Sequence, residues 1–115
     1  MTRLRELAAE FLALTDEPRT WRRLGDSMAG ADGITFLCPA CFAANGGPRG
    51  THAVICWFRG RVPDDLPPVP GRWTPAGTGL DDLTFVPGDP PMATSVLLTG
   101  PGCGWHGFVT NGSAA

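Results

Sequence analysis

The stretch Cys38-Pro39-Ala40-Cys41 and its distant counterpart Gly102-Cys103-Gly104-Trp105-His106-Gly107 decide how this chain is read. Each carries two soft donors separated by two residues, the width of one tight turn, so that both side chains can point at one ion. Together they offer three thiolates and one imidazole, the Cys₃His set of a closed tetrahedral zinc site. The 61 residues from Phe42 to Gly102 lie between the two pairs. One zinc ion per chain, held by Cys38, Cys41, Cys103 and His106, would therefore join the two ends of the fold.

Outward from these turns the sequence reads as short strands. Ile34-Thr35-Phe36-Leu37 runs straight into Cys38. Thr51 to Phe58 is β-branched and aromatic, bounded by Gly50 and Gly60, the marks of a strand. Its alternation puts His52, Val54, Cys56 and Phe58 on one face and Ala53, Ile55 and Trp57 on the other. Leu83-Thr84-Phe85-Val86 and Ser95 to Thr99 are further strands, and Phe108-Val109-Thr110 leaves the second turn. Arg59 to Gly79 is punctuated by Pro63, Pro67, Pro68, Pro70 and Pro75, and reads as a long mobile loop. Within it Arg72 and Trp73 are candidates for a binding surface, since no core strand claims them.

At the N-terminus, Leu4, Leu7, Ala8, Phe11, Leu12 and Leu14 recur at helical spacing, which predicts a helix over 3–14. The expected architecture is a single α+β domain, residues 1–115. It combines that helix with a β-rich, zinc-binding core over 27–115, in which zinc-ribbon-like knuckles join a small antiparallel sheet flanked by long Pro/Gly loops.

Composition sets the outer bounds. Sixteen Gly and twelve Pro in 115 residues leave limited room for a core, so a metal staple is a plausible source of stability. A net charge of −2 gives no global attraction to nucleic acid. No apolar run approaches the roughly 18–20 residues of a membrane span. Arg3, Arg5, Glu6 and Glu10 interrupt the N-terminal apolar residues, so a cytoplasmic chain with reduced cysteines is expected, which favours metal over disulfides.

Rival chemistries are weaker. A redox dithiol at Cys38 and Cys41 should open a helix, for which Gly46-Gly47-Pro48 leaves barely one turn, and it would not explain Cys103. His52 and Cys56 are alternative ligands or neighbours of the site. Four residues of regular strand separate them by about 13 Å, so both cannot bind one ion. A catalytic zinc needs an open position and a nearby base, commonly Glu, yet no Glu follows Glu17. No catalytic residue is therefore assigned, and enzyme activity is disfavoured. Binding of nucleic acid through Arg19, Arg22, Arg23, Arg59, Arg61 and Arg72 would require those side chains to gather on one face.

The chain resembles a family of small phage and prophage proteins from high-GC bacteria for which no activity is established. The resemblance rests on Phe36 to Phe42, Thr51 to Phe58, Gly71-Arg72-Trp73 through Phe85, and Gly102 to Gly112. It implies a metal-binding β domain in a phage setting, located in the host cytoplasm or the virion. Beside it, the favoured expectation is a non-enzymatic accessory module whose zinc fixes a binding surface, the Arg59–Gly79 loop, for a protein partner, either a host factor or a virion component.

Overall fold

A computed structural model describes residues 1–98 and 103–115. Its centre is an antiparallel four-stranded sheet built from β2 (Glu10–Leu14), β3 (Trp21–Gly25), β4 (Gly33–Leu37) and β5 (Ala53–Trp57), in the order β3-β2-β4-β5. One helix, α1 (Pro39–Asn45), lies in the connection between β4 and β5. Three smaller antiparallel sheets complete the fold. Short strands β6 (Thr74–Ala76) and β7 (Thr84–Val86) pair, as do β8 (Val96–Leu97) and β9 (His106–Gly107). At the termini, β1 (Thr2–Arg3), β10 (Val109–Thr110) and β11 (Ser113–Ala114) form a sheet in the order β1-β11-β10.

The predicted N-terminal helix is replaced by β1, a four-residue 3₁₀ turn at Leu4–Leu7, and β2. Ala8 ends the turn in the left-handed region at φ 53°. The physical reason lies in Phe11-Leu12-Ala13, all of which are buried. A strand covered on both faces reads as a continuous apolar run, which periodicity alone does not separate from a buried helix. Phe11 faces the main core, while Leu12 faces a smaller cluster with Trp57 and Leu66. Helix formation occurs instead after Cys38. Pro39 occupies the first turn, where its missing N–H costs nothing, and Gly46 closes the helix in the left-handed region at φ 68°. The seven residues of α1 exceed the single turn that Gly46-Gly47-Pro48 was expected to allow.

The other strands follow the sequence more closely. On β5 the alternation holds: Val54, Cys56 and Phe58 join the main core, and Ile55 and Trp57 belong to the opposite face. Phe11, Ile34 and Cys56 stand abreast across three strands, as do Leu12, Gly33 and Trp57. Gly33 is required by that second row, because a Cβ there would lie 2.5 Å from the Trp57 ring. The strand expected at Ser95 to Thr99 is present as β8, and its end lies outside the described residues.

The segment from Arg59 to Gly79 is tied to the body of the protein at several points. The Arg72 guanidinium donates to the carbonyls of Pro63, Asp64, Leu66, Pro68 and Gly71, gathering the proline-rich turn around one cation. Leu66 is buried, and the Trp57 indole N–H donates to the Pro67 carbonyl. Trp73 stacks on Phe85 at 5.7 Å and donates from its indole to the Ser95 carbonyl. Arg72 and Trp73 therefore anchor the segment, while each stays partly accessible. Free side chains in a loop and half-buried pins of that loop look alike in sequence, since both are Arg and Trp among prolines.

Candidate metal centre

Four side chains from four separate positions in the chain converge beside the central sheet. Cys38 leaves β4 and caps α1; Cys41 sits in the first turn of α1. His52 stands just before β5, and Cys103 precedes β9. The Cys38 N–H donates to the His52 carbonyl at 2.9 Å, so the β4–β5 ladder itself fixes the distance between these two ligands. The donor atoms of Cys38, Cys41, His52 and Cys103 all lie within 4.8 Å of one another. Cys38 Sγ and Cys103 Sγ are 3.3 Å apart, and His52 Nε2 is 3.4 Å from Cys103 Sγ. Ligands at 2.0–2.3 Å from a tetrahedral ion stand about 3.5–3.8 Å from each other, so the four groups fit such an ion.

The fourth member is thus His52, not His106. Chain direction explains the exchange. Trp105 is buried in the main core and packs edge-on against Phe36 at 6.1 Å. The next residue begins β9 opposite Leu97, and alternation turns the His106 side chain out, where it is exposed and stacks with Phe108. A two-residue spacing suggests a knuckle, but here it leads into a strand. Cys56 is no neighbour of the ion site; it is wholly buried in the core, and burial pushes its thiol far up.

Sequence reasoning missed Trp105. It lies between the two donors of the expected knuckle, and its backbone carbonyl accepts from Leu98 at 2.9 Å. Its own backbone N–H donates to the Cys103 sulfur. The indole buries the segment while the main chain orients the ligand. The only sequence signal was a large aromatic between two glycine-rich positions.

The electrostatics of the group follow from its mutual hydrogen bonds. The Cys103 thiol is brought down to about 6, first by the hydrogen bond from His52, then by those from Cys38 and the Trp105 N–H. Cys41 is pushed up to about 11, chiefly because its S–H is held by Cys103 and secondly by burial. One negative charge is therefore concentrated on the exposed sulfur, with its neighbours donating to it. A cation held by three thiolates displaces every proton those thiols still carry, that of Cys41 among them, and takes the place of those donors.

Beside the cluster a groove of about 460 Å³ runs between β5 and β8, with His52 and Cys103 at one end. Ile55, Val69, Trp73 and Leu97 contribute its apolar lining. Val69 and Leu97 are each about half exposed.

Fold and site together define a small β-rich domain with a Cys₃His group able to hold a metal ion. No protein-family model, curated protein or solved structure matches the chain. Among the described residues, no helix is long and apolar enough to cross a membrane.

Proposed function

We propose that the chain is a phage-type accessory module in which one zinc ion, held by Cys38, Cys41, His52 and Cys103, fastens the fold around a surface that binds a protein partner. The convergence of these four donors carries this reading. Three thiolates and an imidazole are a soft, nitrogen–sulfur set that suits zinc, and four protein donors fill a tetrahedral sphere. Zinc with three thiolates carries a net charge of −1, which makes it a poor Lewis acid for substrate activation. The ion then contributes to folding, on the order of 10 kcal/mol for sites of this kind.

The protein-binding role is supported by the exposed apolar residues Val69 and Leu97 beside the groove. Nucleic-acid binding has less support. Arg19, Arg23 and Arg61 pair with Asp65, Glu10 and Asp32, and Arg59 and Arg72 donate to backbone carbonyls. These five arginines already make contacts within the chain, which leaves less positive charge uncompensated for a polyanion.

X-ray absorption at the zinc edge tests the fastener reading against a catalytic one. Three sulfurs near 2.3 Å and one nitrogen near 2.0–2.1 Å, with no further oxygen, are expected. A coordinated water would move the site to the open, catalytic kind. Neighbouring genes test the setting: capsid or tail genes would place the protein with the virion, and early genes with the host.

A further inference from the structure

The sulfurs of Cys38 and Cys103 lie against each other although the two residues belong to separate parts of the fold. Cys38 ends a strand of the central sheet, and Cys103 opens the β8–β9 ribbon, 65 positions away. Their sulfurs are 3.3 Å apart, against about 2.05 Å in a disulfide, a gap that small side-chain rotations can close. Cys103 is exposed while Cys38 is fully buried, so a small oxidant reaches Cys103 first. The remaining thiol outside the cluster, Cys56, is buried and out of reach.

We propose that hydrogen peroxide converts the metal fastener into a covalent one, a Cys38–Cys103 disulfide that joins the same two elements after the ion has left. The release of zinc rests on the metal reading above; the choice of sulfur pair rests on geometry alone. The Cys103 thiolate attacks one peroxide oxygen, forming an S–O bond as the O–O bond breaks and hydroxide departs. The Cys38 thiolate then attacks the Cys103 sulfur, forming the S–S bond as the S–O bond breaks and a second hydroxide leaves. The two sulfurs lose two electrons and the peroxide gains two. The ion loses two of four ligands and dissociates, leaving Cys41 and His52 without it.

The pairing matters for the fold. A bond between Cys38 and Cys41 would close only a short turn and leave the β8–β9 ribbon untied. A bond spanning 65 positions constrains the unfolded chain far more, because loop-closure entropy grows with loop length. Zinc loss by oxidation should therefore spare the fold, whereas zinc loss by chelation should not.

The test uses the full-length chain, assayed first for bound zinc. It is treated with one to a few equivalents of hydrogen peroxide, or with a chelator under reducing conditions. Zinc release, circular dichroism and a non-reducing peptide map are then followed. The expected result is release of the zinc, one intramolecular Cys38–Cys103 bond, reduced Cys56, and a retained folded signal that collapses when dithiothreitol is added with chelator. A Cys38–Cys41 or Cys41–Cys103 bond, an intermolecular disulfide, or sulfinic and sulfonic acids alone would overturn the proposal, as would unfolding by peroxide equal to that by chelator. If the protein carries no zinc at the outset, the metal reading fails separately, and the peptide map of the oxidised chain still decides the sulfur pair. Cys103→Ser should abolish the peroxide-resistant form. Should that variant fail to fold, the wild-type map carries the test.

Discussion

At the scale of single residues, the two histidines separate the ligand from its neighbour. His52 is held beside Cys103 by the start of β5, and His106 is turned away by the strand it begins. Replacing a group that only orients a metal ligand commonly costs about 10–100-fold in affinity, so His52→Ala, which removes a ligand, should lower zinc affinity by about 100-fold or more. His106→Ala should leave it unchanged in the same competition titration. Equal losses would restore the knuckle reading. Three of the four cluster members were legible because soft ligands in paired spacing advertise themselves. The fourth was not, since the spacing Cys103 to His106 carries no record of whether the chain turns or extends between them. What decides it is the burial of Trp105, a tertiary fact. His52 was legible as an alternative ligand at the metal end of a strand, but spacing alone gave no reason to prefer it to His106.

At the scale of elements, the central sheet depends on the absence of a side chain at Gly33. A methyl group there meets the Trp57 ring, which is wholly buried and packed edge-on by Trp21 at 5.2 Å. Overpacking of this kind typically costs about 1–3 kcal/mol, and Gly33→Ala should lower the midpoint of chemical unfolding by a corresponding amount while leaving zinc stoichiometry at one. An unchanged midpoint would mean that Trp57 has room to move. The loop from Pro63 to Gly71 gives a second expectation. Arg72→Ala removes a guanidinium that holds five carbonyls, so limited proteolysis should cut this loop faster, without effect on zinc. Strands β4 and β5 were readable from β-branched and aromatic alternation, down to which residues share a face. Strand β2 was not, because Phe11-Leu12-Ala13 is apolar on both sides and mimics a helix. Helix α1 was hidden for the opposite reason: its seven residues are too few to show a period, and its caps are a cysteine and a glycine.

At the scale of the whole molecule, the ion site sits where the central sheet meets the β8–β9 ribbon, whose Val96 and Trp105 reach the core. Proton linkage follows from the same group. Cys41, held up at about 11, must release its proton when the metal binds, so zinc affinity should rise with pH. Below about 6, Cys103 also takes up a proton in the metal-free chain, adding one more proton to the release and steepening the dependence. Competition titrations across that range check the slope, and an affinity flat in pH would mean that the thiols are not the ligands. A separate acid effect comes from Asp82, whose carboxyl is held below its ordinary value by hydrogen bonds from Thr78 and Gly79. Because its folded value is the lower one, its contribution is present above the ordinary carboxylate value and is lost as pH falls through the folded one.

Chelation of the purified protein, followed by circular dichroism and metal analysis on the same sample, probes the role of the ion most directly. One zinc per chain at the start, loss of the folded signal as the zinc is stripped under reducing conditions, and recovery when zinc is returned are the expected results. A reduced, metal-free chain that keeps its native spectrum and unfolding midpoint would contradict the claim that Cys38, Cys41, His52 and Cys103 fasten this fold through a metal ion.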